Sequence, residues 1–418
     1  MTQTMTRQRL MPVTVGSFCL LTLLGLLTSA AKAQTQTPSK PPQAQAWMDV
    51  ATFSGMGMPT GGLSAMGGLF GGSAARVTFP ATQSSSSGRF MDVTLSSRAN
   101  PQLTQGIQAV PGGLQLGPQL NLMTAPGARA APQERDETID YQQEKPKGRI
   151  LLYWGCGDTV RAGQPVVIDM SKLKPDDMAR VFIARSATQR GAHSAQGRPH
   201  WPNPNEGRAL ADNASLTGEH RFSADGVPPG FAFSLPASHD VMPALALKSS
   251  NQSGATALEW NALPTARAYF AGAIASKADS EMIIWSSSEL PDTGFGLFDY
   301  QTNAAVERWV KERVLLTPDT TRCVVPKGVL PTEGAMLRLI GYGPELNLVH
   351  PPRPSDPRTP WEPQWGVKLR LKSMATSMAG MPSMGEAMRV ESGTPAAEPA
   401  GAVKLPGAVD LLRGLFGR

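Results

Sequence analysis

Cysteine, histidine and long basic runs are all scarce in this chain of 418 residues. Its 39 Lys and Arg outnumber 33 Asp and Glu by six, yet they never gather into a stretch that would track a phosphate backbone. The basic pI of about 9.3 is therefore no nucleic-acid signal, and no nucleic-acid partner is expected. The Gly-x-Ser-x-Gly elbow, the His-Glu-x-x-His helix and the phosphate-binding glycine loop are absent, which removes the chemistries that depend on them. Aromatic residues form only 6% of the chain, while 42 Gly and 37 Pro punctuate it. A chain of this length has room for two compact domains with floppy ends.

What is present begins with an export pattern. Arg7 and Arg9 precede the apolar stretch Val13 to Leu27, and small residues then lead to Ala31-Lys32-Ala33, a small-x-small cleavage site. The apolar stretch is shorter than the roughly 20 residues of a spanning helix. Residues 1–33 therefore read as a signal peptide, with a mature chain starting near Gln34 in the periplasm or outside the cell. Cys19 lacks the small residues that lipidation would require just before it. Loss of Arg7, Arg9 and Lys32 leaves 36 basic against 33 acidic residues.

Composition divides the remainder. Residues 34–46 form a Gln/Thr/Pro linker, and 47–147 a β and low-complexity region that includes a Gly/Met stretch at 55–72. Residues 148–240 form a first β domain and 241–350 a second, immunoglobulin-like one. Residues 351–373 are a Pro-rich connection with a late strand, and 374–418 a Met-rich tail with a short amphipathic helix. Two segments echo one another with strand-like alternation, MDVATFS at Met48–Ser54 and MDVTLSS at Met91–Ser97.

Short apolar runs bounded by turn residues predict strands at Ile150–Trp154, Val166–Ile168, Val181–Ile183, Phe231–Leu235, Tyr269–Ile274, Met282–Trp285 and Met336–Ile340. Val306, Trp309, Val310 and Val314 fall at helical steps after Asn303, a competent N-cap. In the late strand Val367–Lys372, Val367, Leu369 and Leu371 are expected to face inward and Lys368, Arg370 and Lys372 the solvent. The fold class that follows is mainly β: two antiparallel β-sandwich-like domains with one short helix and disordered N- and C-terminal segments.

The segment ALEWNALPTARAYFAGAIAS, with one Trp set to pack under one Tyr, and the later CVVPKGVLPTEGAMLRLIGYG together resemble the opening and closing strands of a fibronectin type III or immunoglobulin-like sandwich, covering Ala244 to His350. The chain as a whole resembles a class of exported bacterial proteins that carry a Tyr-Trp-Gly-Cys-Gly segment, here Tyr153 to Gly157. That resemblance implies export and no particular activity.

No base lies near Cys156 in sequence, and no protease or oxidoreductase signature surrounds it. After signal removal only Cys156 and Cys323 remain, so in an oxidising compartment they are expected to pair, the competing state being two buried thiols. Closing that loop is worth on the order of 4–5 kcal/mol in the chain-entropy model. His193 and His200 fall in a Pro-rich stretch with Trp201, which reads as a solvated loop or as a ligand-binding loop with an exposed aromatic platform. Met374, Met378, Met381, Met384 and Met388 recur three or four apart, a thioether set suited to Cu(I); the alternative is a partly helical tail that Pro382 breaks. Otherwise no cofactor is expected. Residues 408–418 carry an apolar stripe with Arg413 and Arg418 beside it, suited to a membrane surface or to packing on the parent domain.

These features favour an exported, non-catalytic binding or structural protein of the cell envelope over a copper-handling protein or a hydrolase with an unrecognised site. Intact-mass analysis after cell fractionation is expected to find a chain that begins near Gln34 outside the cytoplasm. A full-length cytoplasmic product would contradict the export reading.

Overall fold

The two MDV echoes lie side by side. In the computed structural model, which describes residues 40–55, 77–83, 86–124, 148–173, 185, 191–278, 281–332, 334–356 and 358–379, they belong to β1 (Ala44–Gly55) and β2 (Gly88–Ser97). The two strands run antiparallel, with Met48 opposite Val93, Asp49 opposite Asp92 and Val50 opposite Met91. Side chains alternate between the faces of a sheet, so Met48, Val50, Met91, Val93 and Leu95 share one face, while the two aspartates share the other with Ala51 and Phe53.

The sheet built around this pair has thirteen strands. Beyond β1 come β16 (Trp365–Met378), β15 (Met336–His350), β12 (Ala268–Ala278), β13 (Glu281–Ser286), β5 (Arg149–Trp154) and β6 (Val166–Asp169). Beyond β2 come β7 (His200–Trp201), β4 (Gln119–Met123), β3 (Gln105–Ala109), β8 (Gly218–Ser223) and β9 (Ala232–Leu235). The pairs β1 with β16 and β5 with β13 are parallel; the others are antiparallel. A second sheet joins β10 (Lys248–Gln252), β11 (Ala255–Glu259) and β14 (Arg322–Val325). The protein is thus mainly β, with one α-helix, α1 (Asn303–Lys311), among the described residues. Strand pairing crosses the segment limits drawn from composition, and the described chain from Lys40 onward clusters as one compact unit.

One face of the large sheet carries the principal apolar core. Met48, Val50, Trp285, Leu337, Leu339, Leu369 and Leu371 are buried there in one cluster with Leu258 and Val325 of the small sheet. The Phe231 ring, just before β9, stacks on Trp365 of β16 at 4.8 Å, so the far end of the large sheet curls back over its middle. Cys156 and Cys323 are bonded, with Sγ–Sγ 2.11 Å and Cα–Cα 5.3 Å, and this bridge ties the turn after β5 to β14. The flanking glycines fasten the turn to both sheets: Gly155 N–H donates to the Ser286 carbonyl at 2.9 Å and Gly157 N–H to that of Val324 at 2.8 Å. Gly155 has φ +89°, and a Cβ there would lie 2.8 Å from the Arg161 guanidinium carbon, so the position suits glycine alone.

The opposite face corrects an expectation. Lys368, Arg370 and Lys372 do alternate with the apolar residues of β16, but Arg370 and Lys372 are only 5% and 4% exposed. Alternation shows that two faces differ in polarity; it does not show that the polar one is wet. A row of charge crosses four strands here, Asp92 on β2, Asp49 on β1, Arg370 on β16 and Glu345 on β15, each opposite the next. Arg370 grips Asp49 with Nε to Oδ1 at 2.6 Å and Nη2 to Oδ2 at 2.5 Å, and Ala192 N–H donates to Oδ2 at 2.9 Å. Lys372 Nζ lies 3.2 Å from Asp299 and 4.3 Å from the Tyr300 ring centre. Helix α1 covers the same face through Val306 and Trp309, clustered with Ile340 and Tyr342 of β15. Its N-cap is Thr302, whose hydroxyl accepts from Ala305 N–H at 3.2 Å. Asn303 instead clamps the irregular register at Glu345, bonding the backbone N–H and carbonyl of that residue.

Asp92 anchors a further cover segment, accepting from Ala81 N–H and Thr82 N–H at 2.8 Å each and from the Thr82 hydroxyl at 2.5 Å. Burial lifts its pKa to about 6, against these three bonds, which favour the carboxylate. The folded form therefore holds the proton more tightly than the unfolded chain. This contribution to stability is full below the ordinary aspartate value of 3.8 and is lost as pH rises through about 6. Between pH 4 and pH 7 the wild type is expected to lose roughly 2 kcal/mol relative to Asp92→Asn. Urea midpoints of both proteins at the two pH values measure this, and parallel pH dependence would contradict it.

The signal segment, the Gly/Met stretch, the strand expected at Val181–Ile183 and the helix expected in 408–418 lie outside the described residues.

Candidate functional site

On the charge-bearing face, beyond the end of the ion-pair row, β12, β13 and β15 leave a hollow of about 420 Å³ under the loop 292–299. Local sequence explains why space survives. Gly272 of β12 offers no side chain, and a Cβ there would lie 2.9 Å from Cζ of Phe298, so its absence lets that ring approach the strand. Phe298 meets Phe270 edge-on, with ring centres 5.2 Å apart. Ile274, Ile284 and Met336 complete walls that are mostly apolar.

The loop that roofs the hollow is held by internal bonds. Asp292 is buried; its Oδ1 accepts from Gly294 N–H at 2.8 Å and its carbonyl from the Ser286 hydroxyl at 2.8 Å. Arg185 Nε pairs with its other carboxylate oxygen. Gln301 donates from Nε2 to the Gly296 carbonyl at 2.7 Å, and the Tyr342 hydroxyl donates to the carbonyl of Leu297. A roof fixed from both ends keeps the volume beneath it open at little further entropic cost to a ligand.

Besides Ser286, three polar side chains line the hollow with distinct states. The Asp299 carboxylate is committed to Lys372; burial raises its pKa, but the pull of Lys372, the Tyr300 N–H and Arg370 outweighs that and holds it below the ordinary value. Thr293 Oγ1 is buried with no hydrogen-bond partner among the described residues. Arg338 Nε is in the same condition, with its guanidinium 5.6 Å from the Phe298 ring centre. Burial pushes the Arg338 pKa below its ordinary value, although an arginine remains charged at neutral pH. No His or Cys lines the hollow, the Ser286 hydroxyl is engaged, and the described lining offers no nucleophile beside a base. The hollow is thus a largely apolar slot edged by the Arg338 guanidinium, the Thr293 and Ser286 hydroxyls and the Asp299 carboxylate.

The residues singled out from sequence fall elsewhere. Cys156 and Cys323 are together, in the bridge. Trp201 is 0% exposed within the apolar core, opposite Val93, and His200 is buried with its ring 4.4 Å from that of Phe79. The aromatic platform is therefore corrected: alternation over two residues of β7 sends both side chains into packed layers, and the surrounding prolines mark strand ends and not an open loop. Burial lowers the His200 pKa, partly offset by a backbone bond at Arg198. His193 is exposed and apart from that pair in burial, its Nδ1 2.7 Å from the Gly191 carbonyl. Met374 and Met378 extend β16 and do not open a helical tail; Met374 packs beside Phe53, Phe90 and Tyr300, and Met378 stands opposite Met336. Met381, Met384 and Met388 lie outside the described residues. Among the described residues no cluster of three His, Cys, Asp or Glu could hold a metal ion, and no helix is long and apolar enough to cross a membrane.

No family model, curated protein or solved structure matches this chain. The hollow went unread in the sequence because its residues come from four separated segments. One local signal was available, the single Arg338 within the apolar run Met336–Ile340.

Proposed function

We propose that the protein is an exported envelope component that binds a small molecule in this hollow without transforming it. The observation that carries the reading is the volume itself: about 420 Å³ with largely apolar walls, in the range where small ligands are held, beneath a roof already fixed by hydrogen bonds. The export pattern at residues 1–33 and the Cys156–Cys323 bridge support an oxidising compartment. The lack of a nucleophile beside a base in the described lining supports binding over turnover.

The neutral fluorophore N-phenyl-1-naphthylamine, whose emission rises in apolar surroundings, is the probe of choice. It is expected to bind saturably with one site per chain, and Ile274→Trp, which fills the hollow with an indole, is expected to weaken it at least about tenfold. Absence of saturable binding, or affinity indifferent to Ile274→Trp, would contradict the reading.

A further inference from the structure

Cations on the charge-bearing face are matched one by one. Arg370 has Asp49, Lys372 has Asp299, Lys368 has Glu345 at 3.4 Å, and Arg185 has Asp292. Arg338 breaks the pattern. Across β12 it stands opposite Gly272 and across β16 opposite Thr376, so neither neighbouring strand supplies a carboxylate, and no described acid pairs with it. Its Nε is buried without a hydrogen-bond partner, and so is Thr293 Oγ1 on the roof of the same hollow. A half-buried guanidinium with an unmet N–H is costly to keep, and the group is shaped to take two oxygens of one anion side by side.

We propose that the hollow is selective for monoanions with an apolar body, a carboxylate on an aromatic or branched aliphatic frame, held head-on by Arg338. The proposal rests on the reading that the hollow binds a small molecule, and adds its chemical class. With the Asp299 carboxylate balanced by Lys372, the one cation left over on the lining is Arg338, which balances one negative charge; a phosphate dianion would call for a second free cation. Phe298, Ile274 and Met336 offer the surface against which the body of such an acid would lie.

The test compares two isosteric probes by calorimetry, 2-naphthoate and 2-naphthamide, which differ in charge and scarcely in shape. The wild type is expected to bind 2-naphthoate at least about tenfold more tightly, the preference that a charge-assisted hydrogen bond supports. Arg338→Met is expected to abolish the preference by weakening 2-naphthoate at least about tenfold more than 2-naphthamide, and Arg338→Lys to keep part of it, since charge persists without the fork. Should Arg338→Met fail to fold, the wild-type comparison and Arg338→Lys decide the matter. Equal wild-type affinities, or a preference that survives Arg338→Met, would overturn the proposal. If both probes bind equally, the hollow remains a binding site and anion selectivity alone falls; if neither binds, both readings fall together.

Discussion

The two-pronged contact between Asp49 and Arg370 joins the first described strand to the last. These residues are 321 positions apart, yet β1 and β16 lie side by side in parallel, and every other described segment is strung between them. A buried ion pair of this kind adds little net stability compared with well-packed apolar residues, but removing one partner leaves a stranded charge that costs about 3–5 kcal/mol. Its role here is register. Sliding β16 by one residue would turn Arg370 toward the apolar core and Leu369 or Leu371 into the charged row, so only one alignment satisfies both faces.

That constraint propagates along the sheet. With Asp49 taken by Arg370, Asp92 directly opposite it on β2 would face an uncompensated like charge, and it is accommodated by backbone and hydroxyl donors from the 81–83 turn. On the other side Glu345 meets Lys368, and Lys372 turns to Asp299 and the Tyr300 ring. Asp92, Asp49 and Lys372 also hold the cover segments, through Ala81 and Thr82, through Ala192 and through Asp299, which is why a face with this much charge can be buried. Past Glu345 the pairing ends. At β15 and β12 the face becomes apolar, the cover lifts into the 292–299 loop, and Arg338 is left as a cation with a cavity in place of an acid.

Local pattern made much of the fold legible. Alternation and turn residues located β5, β6, β9, β12 and β13 within a few positions and the start of β15, which runs on to His350 past the expected end at Ile340, and helical spacing located α1, because those signals depend on neighbours in sequence. Pairing was another matter. The MDV echo was visible as repetition, but nothing local said that its two copies would face each other and place Asp49 against Asp92. The Lys368, Arg370 and Lys372 stripe was misassigned for the same reason: a polar face and a solvated face look alike until the partners arrive from elsewhere in the chain. Trp201 shows the converse, an aromatic in a proline-rich stretch that tertiary packing draws fully inside. The cysteine pairing was within reach because only two thiols remained to choose between. The hollow was not, since Gly272, Ile284, Phe298 and Arg338 carry no shared spacing and meet only in the folded sheet.

The most direct examination of the central claim is an experimental structure of the protein crystallised with saturating 2-naphthoate. The naphthalene ring is expected between Phe298 and Ile274 with both carboxylate oxygens on the Arg338 guanidinium, beneath an unmoved 292–299 loop. A hollow filled only by water, or the acid bound at a different surface with Arg338 untouched, would contradict it.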